Sequence, residues 1–207
     1  MTPPIHIANV VSTFDLGVKN VPLKEIAQQQ MFPEYQPKKF AALTLRTQSP
    51  RTTALVFSSG NVVVTGARTI LISLLSSRKY ARLIQKIGYD VAFHNFKVEN
   101  IVASVETNFA IKLKEISEDH GLDTSWEPES FPGLVYRMPK VVFLIFRSGK
   151  VVITGGKTIK DIHEKFHKLY NSILINYIDN TDLTLSSSAY KQICREKQLN
   201  ELMEDDI

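Results

Sequence analysis

The sequence predicts an α+β protein made of two copies of one structural unit. Residues 52–66 read TTALVFSSGNVVVTG, and residues 141–155 repeat them as VVFLIFRSGKVVITG. In both copies, alternating apolar residues flank a short turn that contains glycine, which is typical of a β-hairpin, and a long helical pattern follows. A repeat of this length indicates a duplicated unit, so we expect two pseudo-symmetric halves, each with an antiparallel sheet and helices.

The first copy begins with a β-branched strand and ends with a long helix. Pro22 suits the first turn of a helix, which Pro33 and Pro37 then end. Gly88 is typical of the residue that follows a helix C-terminus. The predicted elements are a strand at 5–14, a helix from 22, strands at 40–47, 53–58 and 62–65, and a helix at 69–87.

The second copy repeats this order. Its predicted elements are a strand at 98–105, a helix at 112–118, strands at 134–138, 141–146 and 151–154, and a helix at 158–170. Equivalent residues are 91 positions apart from Asn9 to Asn100, but 89 apart from Phe57 to Phe146. Two residues are therefore missing after Met138, and we expect a shorter turn there because a turn tolerates deletion better than a paired strand.

The repeat divides the chain into a first repeat at 1–92 and a second repeat at 93–179. Residues 180–207 differ in character, with three consecutive serines from Ser186 and an acidic end. We expect this extension to be mobile or to bind a partner, with a short helix between 186 and 203.

Both faces of the predicted sheet are apolar. Because side chains of a strand alternate between its two faces, Leu55 and Phe57 share one face and Val56 points to the other. The two long helices can cover only one face. The other face needs an apolar partner, which is a second sheet, another subunit or a ligand with a broad hydrophobic surface.

Composition narrows the class of protein further. The chain has 207 residues, 43% of them hydrophobic, and a formal net charge of +4, which is compatible with nucleic-acid binding. Its single cysteine, Cys194, excludes an internal disulfide and a cysteine-rich zinc site, and it fits a reducing intracellular compartment. No apolar run approaches the roughly 20 residues of a membrane helix, and no secretory signal pattern begins at Met1.

Two short motifs suggest enzyme chemistry but lack the rest of the required pattern. Residues 163–167 read HEKFH, which is the spacing of a zinc peptidase, yet nothing nearby supplies a convincing third ligand. Residues 155–158 read GGKT, like the end of a phosphate-binding loop, but Val151 stands where the loop needs its first glycine. We therefore expect no metal, no cofactor and no catalytic site, with a zinc hydrolase as one alternative.

Three longer motifs are specific enough to indicate a family. They are PRTTALVFSSG at 50–60, RKYAR at 78–82 and EPESFPGLVYRM at 127–138. With these motifs the chain resembles the TATA-box-binding protein (TBP) family over about residues 5–178. The resemblance implies a TBP-like saddle, in which two pseudo-symmetric repeats form a curved antiparallel sheet with helices on its convex face. It also implies that the concave face sits on the minor groove of DNA and inserts apolar side chains that kink the duplex.

The resemblance assigns site residues to matching positions of this chain. The intercalating side chains correspond to Phe40, Phe57, Phe131 and Phe146. The residues that face the minor groove correspond to Asn9, Val11, Leu55, Val63, Thr65, Asn100, Val102, Leu144, Val152 and Thr154. The residues that contact phosphates correspond to Lys39, Arg46, Arg68, Arg137, Lys150 and Lys157. One phenylalanine alone is normally a core residue, but four at symmetric repeat positions favour the role of wedges.

The chemistry of the minor groove agrees with these residue types. A·T base pairs present only acceptors there, which suits the amides of Asn9 and Asn100. Apolar side chains on the groove floor would leave a guanine amino group desolvated, so they favour A·T pairs. Asn61 stands where the second copy has Lys150, and we expect one phosphate contact to be lost there.

The resemblance also implies partners and a function. A TFIIA-like factor and negative regulators are expected at Arg78, Lys79, Arg82 and Lys86, and a TFIIB-like factor at Glu127, Glu129 and Leu134. TBP-associated factors and the RNA polymerase machinery are further expected partners. The expected protein is a nuclear general initiation factor that binds A/T-rich, TATA-type promoter DNA and nucleates a preinitiation complex. A diverged scaffold with weak or altered DNA specificity, a virus-encoded protein and a homodimer of the free protein remain open alternatives.

Overall fold

The computed structural model describes residues 2–29 and 34–179, which form two compact units. The first unit is Ile7–Val102. The second unit combines the described residues of Met1–His6 and of Ala103–Ile207.

Two predictions about the organisation of the chain, the repeat boundaries and the C-terminal extension, are not tested by the described residues. The division into repeats at 1–92 and 93–179 stays a prediction. The extension at 180–207, with its predicted helix at 186–203 and its cysteine, lies outside the described residues. Among the described residues, no helix is both long enough and apolar enough to cross a membrane.

The first unit is an antiparallel sheet backed by helices. Its elements are β1 (His6–Asp15), α1 (Leu23–Gln28), β2 (Leu43–Gln48), β3 (Arg51–Val56), β4 (Asn61–Ala67), α2 (Ile70–Lys86) and the beginning of β5 (His94–Glu106). The strand order is β2-β3-β4-β1-β5, so the strand that begins the unit lies beside β4 rather than beside β2. The pairs β2–β3, β3–β4 and β1–β4 are antiparallel, and the register of β1 shifts after Val10.

The second unit repeats this arrangement. Its elements are the remainder of β5, α3 (Leu113–Asp119), β6 (Thr124–Ser125), β7 (Leu134–Met138), β8 (Val141–Ile145), β9 (Lys150–Thr154), α4 (Ile159–Ser172) and a 3-10 turn at Leu174–Asn176. The strand order is β5-β9-β8-β7-β6, with antiparallel pairing between neighbours. Every strand and helix predicted within residues 2–29 and 34–179 is present, which confirms the α+β class. The pattern does not predict β6, because two residues are too few to show alternation.

Both long helices begin at a capping threonine. Thr69 Oγ1 accepts a 3.1 Å hydrogen bond from the Ile72 amide, and Thr158 Oγ1 accepts one of 3.0 Å from the Asp161 amide. Such a cap satisfies an amide that the helix itself cannot pair, so it favours a helix start at this residue. The two threonines are 89 residues apart, which makes them equivalent positions of the repeat.

Strand residues alternate between a covered and an uncovered side of the sheet. In β3, Ala54 and Val56 are fully buried, whereas Leu55 between them is partly exposed. β8 shows the same alternation. In the first unit, Tyr80 and Ile84 of α2 belong to the core cluster that covers the buried side. Each unit therefore has one strand face packed against helices and one apolar face that solvent reaches.

The hairpin at the repeat deletion differs from the prediction. Strands β2 and β3 end in the pair Gln48↔Arg51, whereas β7 and β8 end in the pair Met138↔Val141. Each of the two turns contains two residues, so the predicted shortening of the turn is wrong. The second hairpin instead lacks one complete cross-strand pair. Losing one residue from each strand keeps the register, because every remaining residue still faces the same partner.

A hydrogen bond near the end of the described chain gives a testable contribution to stability. Tyr177 donates from its hydroxyl to Asp119 Oδ2 at 2.7 Å. This bond, together with partial burial, raises the pKa of Tyr177 to about 12. Because both groups remain accessible to water, we expect Tyr177→Phe to lower the free energy of unfolding by only about 1 kcal/mol at neutral pH.

The pH dependence of that loss provides the check. A phenol whose pKa is higher in the folded state contributes stability that is complete below its unfolded pKa, which is about 10. The contribution fades as the pH rises through about 12. In urea titrations, the free energies of unfolding of wild type and Tyr177→Phe should therefore converge above pH 10. A difference between the two free energies that does not change with pH would contradict the assignment. Tyr35→Phe, another partly buried tyrosine, is the control.

Candidate nucleic-acid interface

The uncovered strand faces of the two units carry the residues that were predicted to meet the minor groove. All ten are partly exposed: Asn9, Val11, Leu55, Val63, Thr65, Asn100, Val102, Leu144, Val152 and Thr154. In the first unit, Leu55 lies opposite Val63 in the β3–β4 ladder. In the second unit, Leu144 lies opposite Val152 in the β8–β9 ladder. Each unit thus presents an apolar cross-strand pair to solvent in the same register.

A polar group of fixed orientation accompanies the apolar pair of the first unit. The amide of Gly66 donates to Asn9 Oδ1 at 2.8 Å, and the Thr65 hydroxyl donates to the same oxygen at 3.2 Å. Asn9 Nδ2 donates in turn to Thr65 Oγ1 at 2.9 Å. Because a primary amide has two hydrogens, the second Nδ2 hydrogen is left for an external acceptor. In the sequence repeat, Asn100 is equivalent to Asn9 and Thr154 is equivalent to Thr65, 91 and 89 positions later.

Two pairs of phenylalanines lie at the ends of the hairpin strands. The rings of Phe40 and Phe57 are 6.3 Å apart between centroids and inclined at 70°. Those of Phe131 and Phe146 are 5.8 Å apart and also inclined at 70°. Phe40 is 49% exposed and Phe131 is 41% exposed. The geometry is the favourable edge-to-face arrangement, yet much of each pair lies in solvent.

Tight turns hold one phenylalanine of each pair. Phe57 donates its amide to the Asn61 carbonyl at 3.0 Å, and Gly60 donates back to the Phe57 carbonyl at 3.0 Å. Phe146 makes the same two bonds at 2.9 Å in the second hairpin. Gly60 has a φ of +92°, and a Cβ there would collide with a neighbouring backbone carbonyl, so glycine is required. The turn geometry therefore fixes where these two rings leave the strand.

Gly133 makes room for the second pair of rings. A Cβ at this residue would lie 2.7 Å from Phe131 Cε1 and 3.0 Å from Phe146 Cε1. The equivalent residue of the first repeat is Ala42, which does carry a Cβ. This difference agrees with the closer ring separation in the second pair.

Exchanging these two small residues should exchange the ring spacing. We expect Gly133→Ala to move the Phe131 and Phe146 rings apart, because the added methyl group occupies the space between them. The free energy of unfolding should fall by no more than about 1 kcal/mol, since Phe131 can yield into solvent. Nuclear Overhauser contacts between the two rings should weaken in this variant and strengthen between Phe40 and Phe57 in Ala42→Gly. Unchanged contacts in both variants would contradict the interpretation.

The residues predicted to contact phosphates are all exposed: Lys39, Arg46, Arg68, Arg137, Lys150 and Lys157. Arg46 also has a partner that the sequence pattern does not predict. Its Nε and Nη2 donate to Glu34 Oε2 at 3.2 and 3.0 Å, and its Nη1 donates to Thr53 Oγ1 at 3.3 Å. Exposed ion pairs of this kind contribute little stability, so Glu34 does not prevent Arg46 from binding another anion.

The predicted partner surfaces are only partly accessible. Arg78, Lys79, Arg82 and Lys86 are all exposed on α2. The guanidinium of Arg78 lies 5.8 Å from the centre of the Phe93 ring, and Lys79 donates to the Ser49 carbonyl at 2.6 Å. Glu127 and Glu129 are also exposed, but Leu134 is fully buried. The expectation that a partner contacts the Leu134 side chain is therefore wrong, because this side chain packs in the core.

The same region contains a residue that the sequence prediction missed. Trp126 borders an open cavity of about 660 Å³ that continues along residues 127–130. Its indole Nε1 is buried and has no hydrogen-bond acceptor among the described residues. Trp126 is a single tryptophan before a Glu-Pro pair, so no periodic pattern in the sequence identifies it as a candidate site residue.

The HEKFH motif is a surface feature of α4. His163, Glu164 and His167 are all exposed. Within residues 2–29 and 34–179, no group of three or more histidine, cysteine, aspartate or glutamate side chains is arranged to hold a metal ion.

Comparisons with known proteins place this geometry in a family. The family model described as "Transcription factor TFIID (or TATA-binding protein, TBP)" matches residues 4–87 and 95–175, one stretch in each repeat. The TATA-box-binding protein-like 1 of Entamoeba histolytica is 48% identical over 170 residues, which cover 81% of this chain and 78% of the relative. The TATA-box-binding protein of Saccharomyces cerevisiae is 49% identical over 166 residues, which cover 79% and 69%.

A solved structure supports the same assignment. The chain is similar to Methanococcus jannaschii TBP, with a TM-score of 0.74 and 38% identity, over 83% of this chain and 98% of that one. The likeness confirms the predicted fold class. The family consists of DNA-binding transcription factors that are not enzymes. With both repeats matched by the family model and about half of the aligned residues identical to named relatives, this chain belongs to the TATA-box-binding protein family.

Proposed function

We propose that the chain binds the minor groove of A·T-rich promoter DNA, kinks the duplex with its phenylalanine pairs and nucleates assembly of a transcription initiation complex. The observation that carries this proposal is the partly exposed phenylalanine pair in each unit, beside a half-exposed apolar strand face. In the free protein, much of the ring surface faces water. Between unstacked base pairs, the same rings replace the stacking that a kink removes.

The apolar strand face supports a preference for A·T pairs. Leu55 with Val63, and Leu144 with Val152, present flat surfaces that carry no hydrogen-bonding side-chain atoms. Guanine places an amino group in the minor groove, and contact with these side chains would strip its water without replacing the lost hydrogen bonds. The remaining amide hydrogen of Asn9 suits the acceptors of A·T pairs. Preference therefore arises more from a penalty against G·C than from many base contacts.

The exposed cations supply affinity that does not depend on sequence. We assign phosphate contacts to the six residues Lys39, Arg46, Arg68, Arg137, Lys150 and Lys157. Arg46 exchanges Glu34 for a phosphate when DNA binds. Each neutralised phosphate releases counterions, so binding should weaken steeply as the salt concentration rises.

The named relatives support a location, and the family resemblance supports the partners. The curated relatives in Saccharomyces cerevisiae, Triticum aestivum and Caenorhabditis elegans are TATA-box-binding proteins of eukaryotes, which supports action in a nucleus. We assign a TFIIA-like factor to the basic part of α2. We assign a TFIIB-like factor to the exposed carboxylates of Glu127 and Glu129.

One binding experiment tests the core of the proposal. A duplex with a dye at each end reports bending by energy transfer, and its anisotropy reports binding. We expect the protein to bind and bend a TATA-type duplex, and to bind a G·C-substituted duplex about tenfold or more weakly, without the bend. Equal, salt-sensitive binding to both duplexes without bending would exclude this function and leave a protein-binding scaffold.

A further inference from the structure

Helix α2 presents leucines to solvent in its first half. Leu71 is 65% exposed and Leu75 is 52% exposed. The buried side of the same helical segment is polar instead, with Ser73, Ser76 and Ser77 all fully buried. This is the reverse of the usual arrangement, in which a helix turns its leucines towards the core.

Hydrogen bonds hold the helix in this rotation. Ser73 Oγ lies 2.7 Å from Ser12 Oγ of β1, and Ser77 Oγ donates to the Ser73 carbonyl at 2.8 Å. Further along the same face, the hydroxyl of the fully buried Tyr80 donates to the Thr52 carbonyl at 2.6 Å. Turning the leucines inward would break the bonds that Ser73 and Tyr80 make to the strands and would expose Tyr80, whereas the Ser77 bond lies within the helix. These contacts fix the rotation of α2, so Leu71 and Leu75 face solvent.

The second repeat gives an internal comparison. The residues of α4 equivalent to Leu71 and Leu75 are Lys160 and Glu164, which are 89 positions later and also exposed. Helix formation at this place in the fold thus does not require leucine on the outer face. Of the two equivalent helices, only α2 has exposed leucines at these two positions; the exposed apolar residue of α4 is Ile159, its first residue.

The same outer face becomes basic towards the end of α2. Arg78, Lys79, Arg82 and Lys86 continue the stripe that Leu71 and Leu75 begin, and α2 contains no aspartate or glutamate. Leu71 and Arg82 are eleven residues apart, or about 16 Å along a helix. A ligand that satisfies the whole stripe needs apolar side chains at one end and carboxylates at the other.

We infer that the outer face of α2 docks an amphipathic helix of another protein, whose apolar residues cover Leu71 and Leu75 and whose carboxylates pair with the basic half of α2. Charge complementarity selects this occupant. A second copy of the chain would place one cationic helix against another. This docking face extends the predicted basic partner surface by about two helical turns and gives it a hydrophobic anchor.

A designed peptide provides the probe. It is a labelled 20-residue helix with leucines on one face of its first half and glutamates on the same face of its second half. The matched peptide carries lysine at each glutamate position. We expect the full chain to bind the acidic peptide, with anisotropy showing at least tenfold weaker binding of the lysine peptide.

The decisive variant carries the residues that α4 uses. The Leu71→Lys/Leu75→Glu variant should bind the acidic peptide at least tenfold more weakly than wild type does. Its unfolding midpoint and its affinity for a TATA-type duplex should stay unchanged. The control is Lys160→Glu/Glu164→Lys on α4, which should leave peptide binding as it is in wild type. Failure of wild type to bind the acidic peptide, or equal binding by the Leu71→Lys/Leu75→Glu variant, would overturn the inference.

Two further measurements identify other occupants. Concentration-dependent dimerisation in sedimentation that disappears in Leu71→Lys/Leu75→Glu would assign the face to a second copy of the chain. Tighter peptide binding after Glu204→Gln/Asp205→Asn/Asp206→Asn would assign it to the C-terminal extension of the chain itself. Either result would replace the partner protein as the occupant. Loss of DNA bending in the experiment of the previous section would leave this inference untouched, because Leu71 and Leu75 lie outside the proposed DNA face.

Discussion

Replacing both Phe131 and Phe146 with alanine is expected to abolish bending of a bound A·T-rich duplex and to weaken binding about 100-fold or more. Each ring that moves from water into contact with unstacked bases contributes about 1.5–3 kcal/mol. Losing two such contacts corresponds to at least two factors of ten in affinity. Energy transfer between dyes at the duplex ends measures the bend, and a titration at fixed salt measures the affinity.

The effect on folding should be much smaller than the effect on DNA. Phe131 is 41% exposed, so its removal costs little of the core. Leu122→Ala is the matched control, because Leu122 is a fully exposed apolar residue of the same unit and has no place on the proposed DNA face. Phe40→Ala/Phe57→Ala should act like the first variant, since its ring pair has the same 70° inclination. A bend that survives in either double variant would show that the rings are not the wedges.

Tyr80→Ala is expected to lower the free energy of unfolding by about 3–5 kcal/mol, a large part of the roughly 5–15 kcal/mol that stabilises a typical domain. The side chain of Tyr80 is completely buried. Its hydroxyl donates to the Thr52 carbonyl at 2.6 Å and lies 3.2 Å from the hydroxyls of Thr47 and Thr52. Truncation therefore leaves both a cavity and an unpaired buried carbonyl.

Two further variants separate these causes. Tyr80→Phe keeps most of the volume and removes only the donor, so we expect a loss of about 1–3 kcal/mol. Leu75→Ala, on the outer face of the same helix, should change stability by less than about 0.5 kcal/mol. Urea denaturation followed by circular dichroism gives all three values. Equal losses for Tyr80→Ala and Leu75→Ala would mean that α2 packs on the sheet in another rotation.

Alternation of apolar residues predicts the strands well, because each strand has one covered face and one face that remains apolar. The strand ends are predicted less well. Phe57 and Phe146 extend the apolar runs of β3 and β8, yet each lies one residue beyond its strand. The tight turn takes their backbone bonds, and its influence on the strand end is not visible in side-chain character.

The sequence pattern does not predict which side of helix α2 is buried. Apolar spacing alone would turn Leu71 and Leu75 inward, whereas small serines are buried in their place. The position of each helix residue depends on how closely the helix approaches the sheet, and that distance is set by Ser12 and Ser73 in contact. A single sequence contains the serines but not the contact.

The candidate site is also predicted only in part. Repeat symmetry, together with the family resemblance, predicts which phenylalanines and strand residues form the face. It does not predict that the rings touch in pairs, that Gly133 leaves space for one pair, or that Glu34 binds Arg46. These are contacts between segments separated in sequence, and only the folded chain brings them together.

The missing pair at the tip of the second hairpin has a consequence for how duplicated genes can drift apart. Removing one residue from within one hairpin strand would turn every side chain on one side of the deletion to the opposite face, whereas removing two opposed residues leaves all others in phase. A hairpin can thus shorten within its paired region when both strands lose one residue. The two hairpins therefore differ in length at their outer ends, while the pairs Leu43↔Val56 and Leu134↔Ile145 keep equivalent positions next to the aromatic rings.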